Sequence, residues 1–285
     1  MSNMVVRTNV LALNSHRNLG NVANQQARSS ARLSSGFRIN SAADDAAGLA
    51  ISEGMRAQIR GLDQASRNSQ DAISLIQTTE GGMQTIGEMV GRIRELVVQA
   101  SNDTYTGGAD GPDRGLIQRE VGHLLSEIND TAARLEFNRR SLLDSGDSLF
   151  FQVGANASQG ITLTLPNVVT SVHTALVGTL GAGGANINNA DGSAISAFLS
   201  GVDTVMDSLN DARATLGAVE NRLEFTIQNL DISSQNLSAA NSRIRDADMA
   251  QEMMRLTQAN VLQQAATAML AQANQAPQSV LQLLG

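Results

Sequence analysis

GVDTVMDSLNDARATLGAVENRLEFTIQNLDISSQNLSAANSRI, residues 201–244, carries the repeat that decides the fold. Within it Val202, Leu209, Leu216, Leu223, Leu230, Leu237 and Ile244 recur every seven residues, and Val205, Ala212, Val219, Thr226, Ser233 and Ala240 follow at a spacing of three. A 3.5-residue repeat keeps one stripe facing one neighbour, so the segment predicts a long helix supercoiled left-handedly against another helix. No proline interrupts it.

The partners lie upstream. Ile76, Thr79, Met83, Ile86, Val90, Ile93 and Val97 alternate steps of three and four, which predicts a helix over about 71–101. Ile117, Val121, Leu124, Ile128 and Leu135 repeat the pattern in a helix starting near Pro112, and the Gly- and Asp-rich segment 103–111 between them reads as the loop of an antiparallel hairpin. From Asp144 to Asp191 the period changes. Phe151, Val153, Ile161, Leu163 and Leu165 alternate with polar residues before Pro166, which predicts a small β-hairpin, and 181–192 reads as turn-rich. This middle region is expected at the tip of the molecule.

The fold class expected is mainly α, a long antiparallel helical coiled-coil bundle formed by both halves with a β-hairpin region in the middle. Two domains are expected: a discontinuous terminal one, 1–43 plus 241–285, and a stem, 44–240, with long helices over about 44–143 and 193–240 and a β/turn region over about 144–192.

The terminal segments are apolar only along narrow stripes. Val6, Val10, Leu13, Leu19, Val22, Ala23 and Leu33 form one, and Met249, Met253, Leu256, Leu262, Ala266, Met269, Leu270 and Ala273 the other. Both are rich in Asn, Gln, Ser and Ala, so alone they bury little against an ordering cost of about 1–2 kcal/mol per residue. The expectation is order gained on assembly. Past Pro277, Val280, Leu281, Leu283 and Leu284 make an apolar tail that assembly would cover.

Composition excludes much. There is no cysteine, so disulfides, thiolate nucleophiles and cysteine metal sites are absent. His16, His123 and His173 stand far apart without metal-ligand spacing, and the pairs Asp44-Asp45 and Asp246-Asp248 read as helix-boundary or inter-subunit groups rather than acid and base. No cofactor and no enzymatic activity are expected. A net charge of −7 argues against nucleic acid, and no stretch approaches a membrane span or a Sec signal peptide. All 20 basic residues are arginine.

Specific motifs then appear. ARLSSGFRINS at 31–41, DDAAG at 44–48, QASRN at 64–68 and QTTEG at 77–81 resemble the N-terminal signature of bacterial flagellins. SRIRDAD at 242–248 and LAQANQAPQ at 270–278 are similar to the C-terminal one. The resemblance implies an extracellular filament subunit for swimming motility, exported by the flagellar type III apparatus. It would polymerise with itself and meet the cap, the hook–filament junction proteins and the export chaperone, with Val6, Val10, Leu13, Leu33, Leu262, Met269, Leu270, Leu281, Leu283 and Leu284 as assembly residues. The alternative is a hook–filament junction adaptor. With about fifty residues joining Asp144 to Ile195, no large outer domain is expected, hence a thin, smooth filament. The resemblance also implies that Arg92, Leu96, Gln99 and Glu120 match a patch bound by the flagellin-sensing Toll-like receptor of animal hosts, while the tail could meet cytosolic innate sensors. Arg245 stands where flagellins commonly carry an acidic residue, which predicts a rewired subunit contact.

Overall fold

A computed structural model describes residues 9–106 and 112–284, with side chains given outside 184, 185, 189 and 276–284. The chain divides into two compact units, Arg60–Ser234 and the pair Met1–Ile59 with Gln235–Gly285. Within the terminal unit Glu53 forms a 2.5 Å ion pair with Arg245.

The element order is α1 (Val10–Ser35), α2 (Ala46–Ala100), α3 (Asp113–Arg134), β1 (Glu136–Phe137), β2 (Arg140–Ser141), β3 (Ser148–Gln152), β4 (Gly160–Thr164), α4 (Ala175–Leu180), α5 (Ala185–Asn189), α6 (Gly192–Arg245) and α7 (Met249–Leu284). In the unit Arg60–Ser234, α2 and α6 run antiparallel in constant register. Cross-helix hydrogen bonds join Asp63 to Ser234, Gln77 to Glu220 and Arg94 to Asp203, each step forward on one helix matched by a step back on the other. Val202, Val205, Leu209, Leu216, Leu223 and Leu230 are buried on α6, whereas Leu237 and Ile244 are half-buried. All seven residues of the α2 stripe, Ile76 to Val97, are buried, and the Thr79 hydroxyl donates to the Leu75 carbonyl (2.8 Å). α3 buries Ile117, Val121 and Ile128 as expected, but Leu125 takes the place given to Leu124, which is half-buried.

The middle region differs from expectation in three ways. β3 and β4 pair antiparallel, from Ser148 with Thr164 to Gln152 with Gly160, and Leu149, Ile161, Leu163 and Leu165 are buried. This hairpin lies along α2, the Gln152 carbonyl accepting from Asn68, so it is not at the far end of the helices. A second hairpin, β1–β2, turns on Asn138 and Arg139, both left-handed (φ 51° and 64°). Third, 169–180 and 185–189 are helical within the expected β/turn region: a π-helical turn Val169–Thr174 runs into α4, Gly181 and Gly183 (φ 81° and 62°) make the turn expected there, and Val172, Leu176, Leu180 and Ile187 are buried in the shared core. Small side chains and glycines hide that amphipathic pattern in the sequence.

The end of α2 is closed by Arg114, which is buried. Its Nε donates to the Ala100 carbonyl (3.0 Å), Nη1 to the Ala190 carbonyl (2.9 Å) and Nη2 to Asp103 (3.0 Å), so a cation caps the negative end of the helix. Gly192 opens α6 beside them; a Cβ there would collide with the Ser101 carbonyl and Asp103. Residues 107–111 of the expected loop lie outside the described residues.

Candidate assembly and recognition surfaces

In the terminal unit α1 and α7 pair antiparallel. Asn9 Nδ2 donates to the Ala273 carbonyl (2.7 Å), Gln26 Nε2 to Asn260 (2.8 Å), and the Ser29 hydroxyl to Glu252 (2.7 Å). The covered positions, Ala12, Ser15, Leu19, Val22, Gln26, Ser29 and Leu33 against Glu252, Leu256, Ala259, Gln263, Ala266, Leu270 and Ala273, alternate steps of three and four. A hydrophobic reading catches this second a/d seam only in part, because nine of its fourteen positions are Ala, Ser, Gln or Glu. Near one end of it Glu252 is buried, bonded to Ser29 and to Arg255 (3.2 Å) with Arg32 at 3.9 Å. A buried paired carboxylate at one level penalises any other register of the two helices.

Caps close the ends of these helices, three from side chains and one from a left-handed glycine. Asn9 Oδ1 accepts from the Ala12 amide, and Gly36, left-handed at φ 76°, closes α1 by donating to the Arg32 carbonyl (2.8 Å). Asp45 caps α2 at the Gly48 amide (2.8 Å), and Asp248 caps α7 at Ala250 and Gln251. Asp44 accepts from the Asn40 and Ser41 amides, which hold its carboxyl below the usual aspartate range. These carboxylates are helix-boundary groups. α7 continues through Pro277, whose missing N–H frees the Ala273 carbonyl four residues back; Asn9 supplies the substitute donor.

Between α1 and α7 a clasp forms. Arg38 N donates to the Arg245 carbonyl (2.6 Å), Ala247 N to the Gly36 carbonyl (2.9 Å), and the Arg38 guanidinium to Ile244. Arg245 lies 4.5 Å from the Phe37 ring centroid and binds Glu53, whose carboxyl is held low first by that bond and then by Arg56. Arg245 therefore closes a contact inside its own subunit.

The expected assembly residues separate into three groups. Val10, Leu13, Leu262 and Met269 are exposed, turned away from the seam, joined by Leu11, Met253, Met254 and Val261. Leu33 and Leu270 are half-buried within it. Val6 and the side chains of Leu281, Leu283 and Leu284 lie outside the described residues. An apolar face of this extent on a paired helix is unpartnered among the described residues.

On the unit Arg60–Ser234, Arg92 reaches from α2 to Glu120 on α3 (2.8 Å) and to Glu95 (2.9 Å); these bonds, Glu120 first, strengthen its hold on its proton. Arg92, Gln99 and Glu120 are exposed, but Leu96 is 1% exposed, one turn along from Arg92. Reading α2 as one stripe missed this, because the helix packs on both α3 and α6 and its buried arc is wider than one seam. Leu96 supports the patch from beneath.

Among the described residues no cluster of three metal-ligating side chains occurs and no helix is long and apolar enough to cross a membrane.

Residues 6–147 match the family described as the bacterial flagellin N-terminal helical region and 199–284 its C-terminal helical region. The chain is 49% identical to the flagellin of Halalkalibacterium halodurans, over 99% of this chain and 100% of that one, and 41% identical to the flagellar filament 33 kDa core protein of Treponema phagedenis, with the same coverage. Its fold is similar to that of a putative flagellar hook-associated protein from Vibrio parahaemolyticus (TM-score 0.61, 13% identity, 71% of this chain and 100% of that one).

Proposed function

Because the chain belongs to the bacterial flagellin family, we propose that it builds the flagellar filament through the outward apolar faces of α1 and α7. It is a structural, non-enzymatic subunit of the extracellular filament, a helical homopolymer for motility. The observation that carries the assembly reading is the unpartnered row Met254, Val261, Leu262 and Met269 beside an otherwise satisfied seam. Burying each such side chain against a neighbouring subunit contributes about 1.5–3 kcal/mol.

In this reading residues 1–43 and 241–285 form the inner lining and 44–240 the outer wall, and the thinly packed α1–α7 seam orders fully only on addition to the filament. Export by the type III apparatus, handling of the tail by a chaperone, and contacts with cap and junction proteins belong to the same proposal. The test is seeded polymerisation of purified chain: Leu262→Gln with Met269→Gln is expected to keep its helix content and to assemble poorly. Unchanged assembly would overturn the reading. A junction adaptor, the alternative, would fail to extend seeds at all.

Arg92, Gln99 and Glu120, with Leu96 supporting them, are proposed as the host-receptor patch. Charge, shape and exposure favour the three polar residues as contacts. Arg92→Ala in purified monomer is expected to weaken receptor signalling, whereas Leu96→Ala acts through the packing below; undiminished signalling by Arg92→Ala would remove the assignment.

A further inference from the structure

Methionine is ordinarily a core residue, yet four of the ten methionines stand on the outside of α7: Met249, Met253, Met254 and Met269 are 47%, 52%, 67% and 62% exposed. None of them belongs to the seam with α1. Met83, by contrast, is 0% exposed in the stem core, and Met55, Met89 and Met206 are half-buried. With no cysteine in the chain, these four thioethers are the most accessible soft nucleophiles among the described residues.

We infer that Met249, Met253, Met254 and Met269 form a reversible oxidation site through which two-electron oxygen donors of the hydroperoxide class block assembly of the free subunit. The inference rests on the reading of this face as an assembly surface. The chemistry balances without a cofactor. A sulfur lone pair attacks one peroxide oxygen, the O–O bond breaks, the sulfur is oxidised to the sulfoxide, and the departing oxygen leaves after proton transfer as water from hydrogen peroxide or as the alcohol from an organic hydroperoxide. The product carries a strong S–O dipole where the subunit must bury an apolar surface. Each sulfoxide covered without a hydrogen-bond donor is expected to raise the critical concentration for polymerisation roughly tenfold. Within the filament the same sulfurs are covered, so the site is open before addition and closed after it. A thiol-dependent methionine-sulfoxide reductase would reverse the modification.

The experiment treats full-length monomer and preformed filaments with hydrogen peroxide, locates added oxygen by peptide mass spectrometry, and measures seeded polymerisation by sedimentation. The expected result is oxidation of the four methionines in monomer well before Met83, protection in filaments, assembly lost from oxidised monomer, and assembly restored by reductase. A variant with leucine at all four positions, compared with its own untreated sample, should show no effect of peroxide. Oxidised monomer that assembles like untreated monomer, or equal peroxide sensitivity in the leucine variant, overturns the inference while leaving the assembly reading intact. Oxidation of the four in filaments as fast as in monomer removes both.

Discussion

Replacing Arg114 by alanine removes a buried guanidinium that holds three acceptors at one end of the helical stem. Two are backbone carbonyls, Ala100 at 3.0 Å and Ala190 at 2.9 Å, in a site where the arginine side chain is 8% exposed. The third, Asp103, is largely in water, so its ion pair is screened and counts for little. Two hydrogen bonds from a charged donor contribute about 1.5–3 kcal/mol each, and their carbonyls lose a partner at the terminus of α2, so the expected loss is about 3–5 kcal/mol. For a unit of this size that lowers the melting temperature by about 10 °C. The assay is thermal unfolding of the full chain followed by far-UV circular dichroism. Arg114→Lys should fall between, because an ammonium is a point charge that cannot span all three acceptors. If Arg114→Ala melts within about 2 °C of the wild type, the arginine does not organise this end of the stem and the reasoning fails.

Other outcomes follow from the same contacts. Leu223→Ala, at a fully buried seam position, should cost about 2–5 kcal/mol in chemical denaturation and half-buried Leu237→Ala clearly less; equal losses would contradict the graded burial of α6. Asn9→Ala removes both the cap of α1 and the donor to Ala273, about 1–2 kcal/mol, and should speed amide hydrogen exchange in the first turn of α1; unchanged exchange would show that neither bond matters. Glu53 has a depressed folded-state pKa, so its contribution is present above the ordinary glutamate value and lost as pH falls through the lower folded value. The stability gap between wild type and Glu53→Gln should therefore close on acidification; a gap that stays constant would remove the Arg245–Glu53 pair from the account.

Where burial follows apolar periodicity, the sequence was a sufficient guide. The seven-residue row of α6 from Val202 to Leu230 and the Ile76–Val97 stripe of α2 are the interior of the stem, and alternation around Phe151 and Ile161 marks the longer hairpin. What escaped depends on polar atoms or on more than one partner. Arg114 carries no apolar signal and its acceptors come from two separate places in the chain, 100–103 and 190. The α1–α7 seam is built largely from Ala, Ser, Gln and Glu, so a hydrophobic stripe drawn through the same helices found its apolar members such as Leu19, Val22, Leu256 and Leu270, passed over Gln26, Ser29 and Glu252, and mixed in the outward residues Val10, Leu13, Leu262 and Met269. Those residues suit an assembly surface better than the seam would, because they are free to meet another subunit. Leu96, set among the recognition residues by motif resemblance, is buried by packing between α2 and its neighbours. The β1–β2 turn uses Asn138 and Arg139 in left-handed conformations, where a reading by turn chemistry looks for glycine.

The account's central claim is that subunits join through the outer face of α7. Cryo-electron microscopy of filaments grown from this chain tests it most directly. The predicted map packs Met254, Val261, Leu262 and Met269 against neighbouring copies; a filament in which those four side chains face open solvent would contradict it.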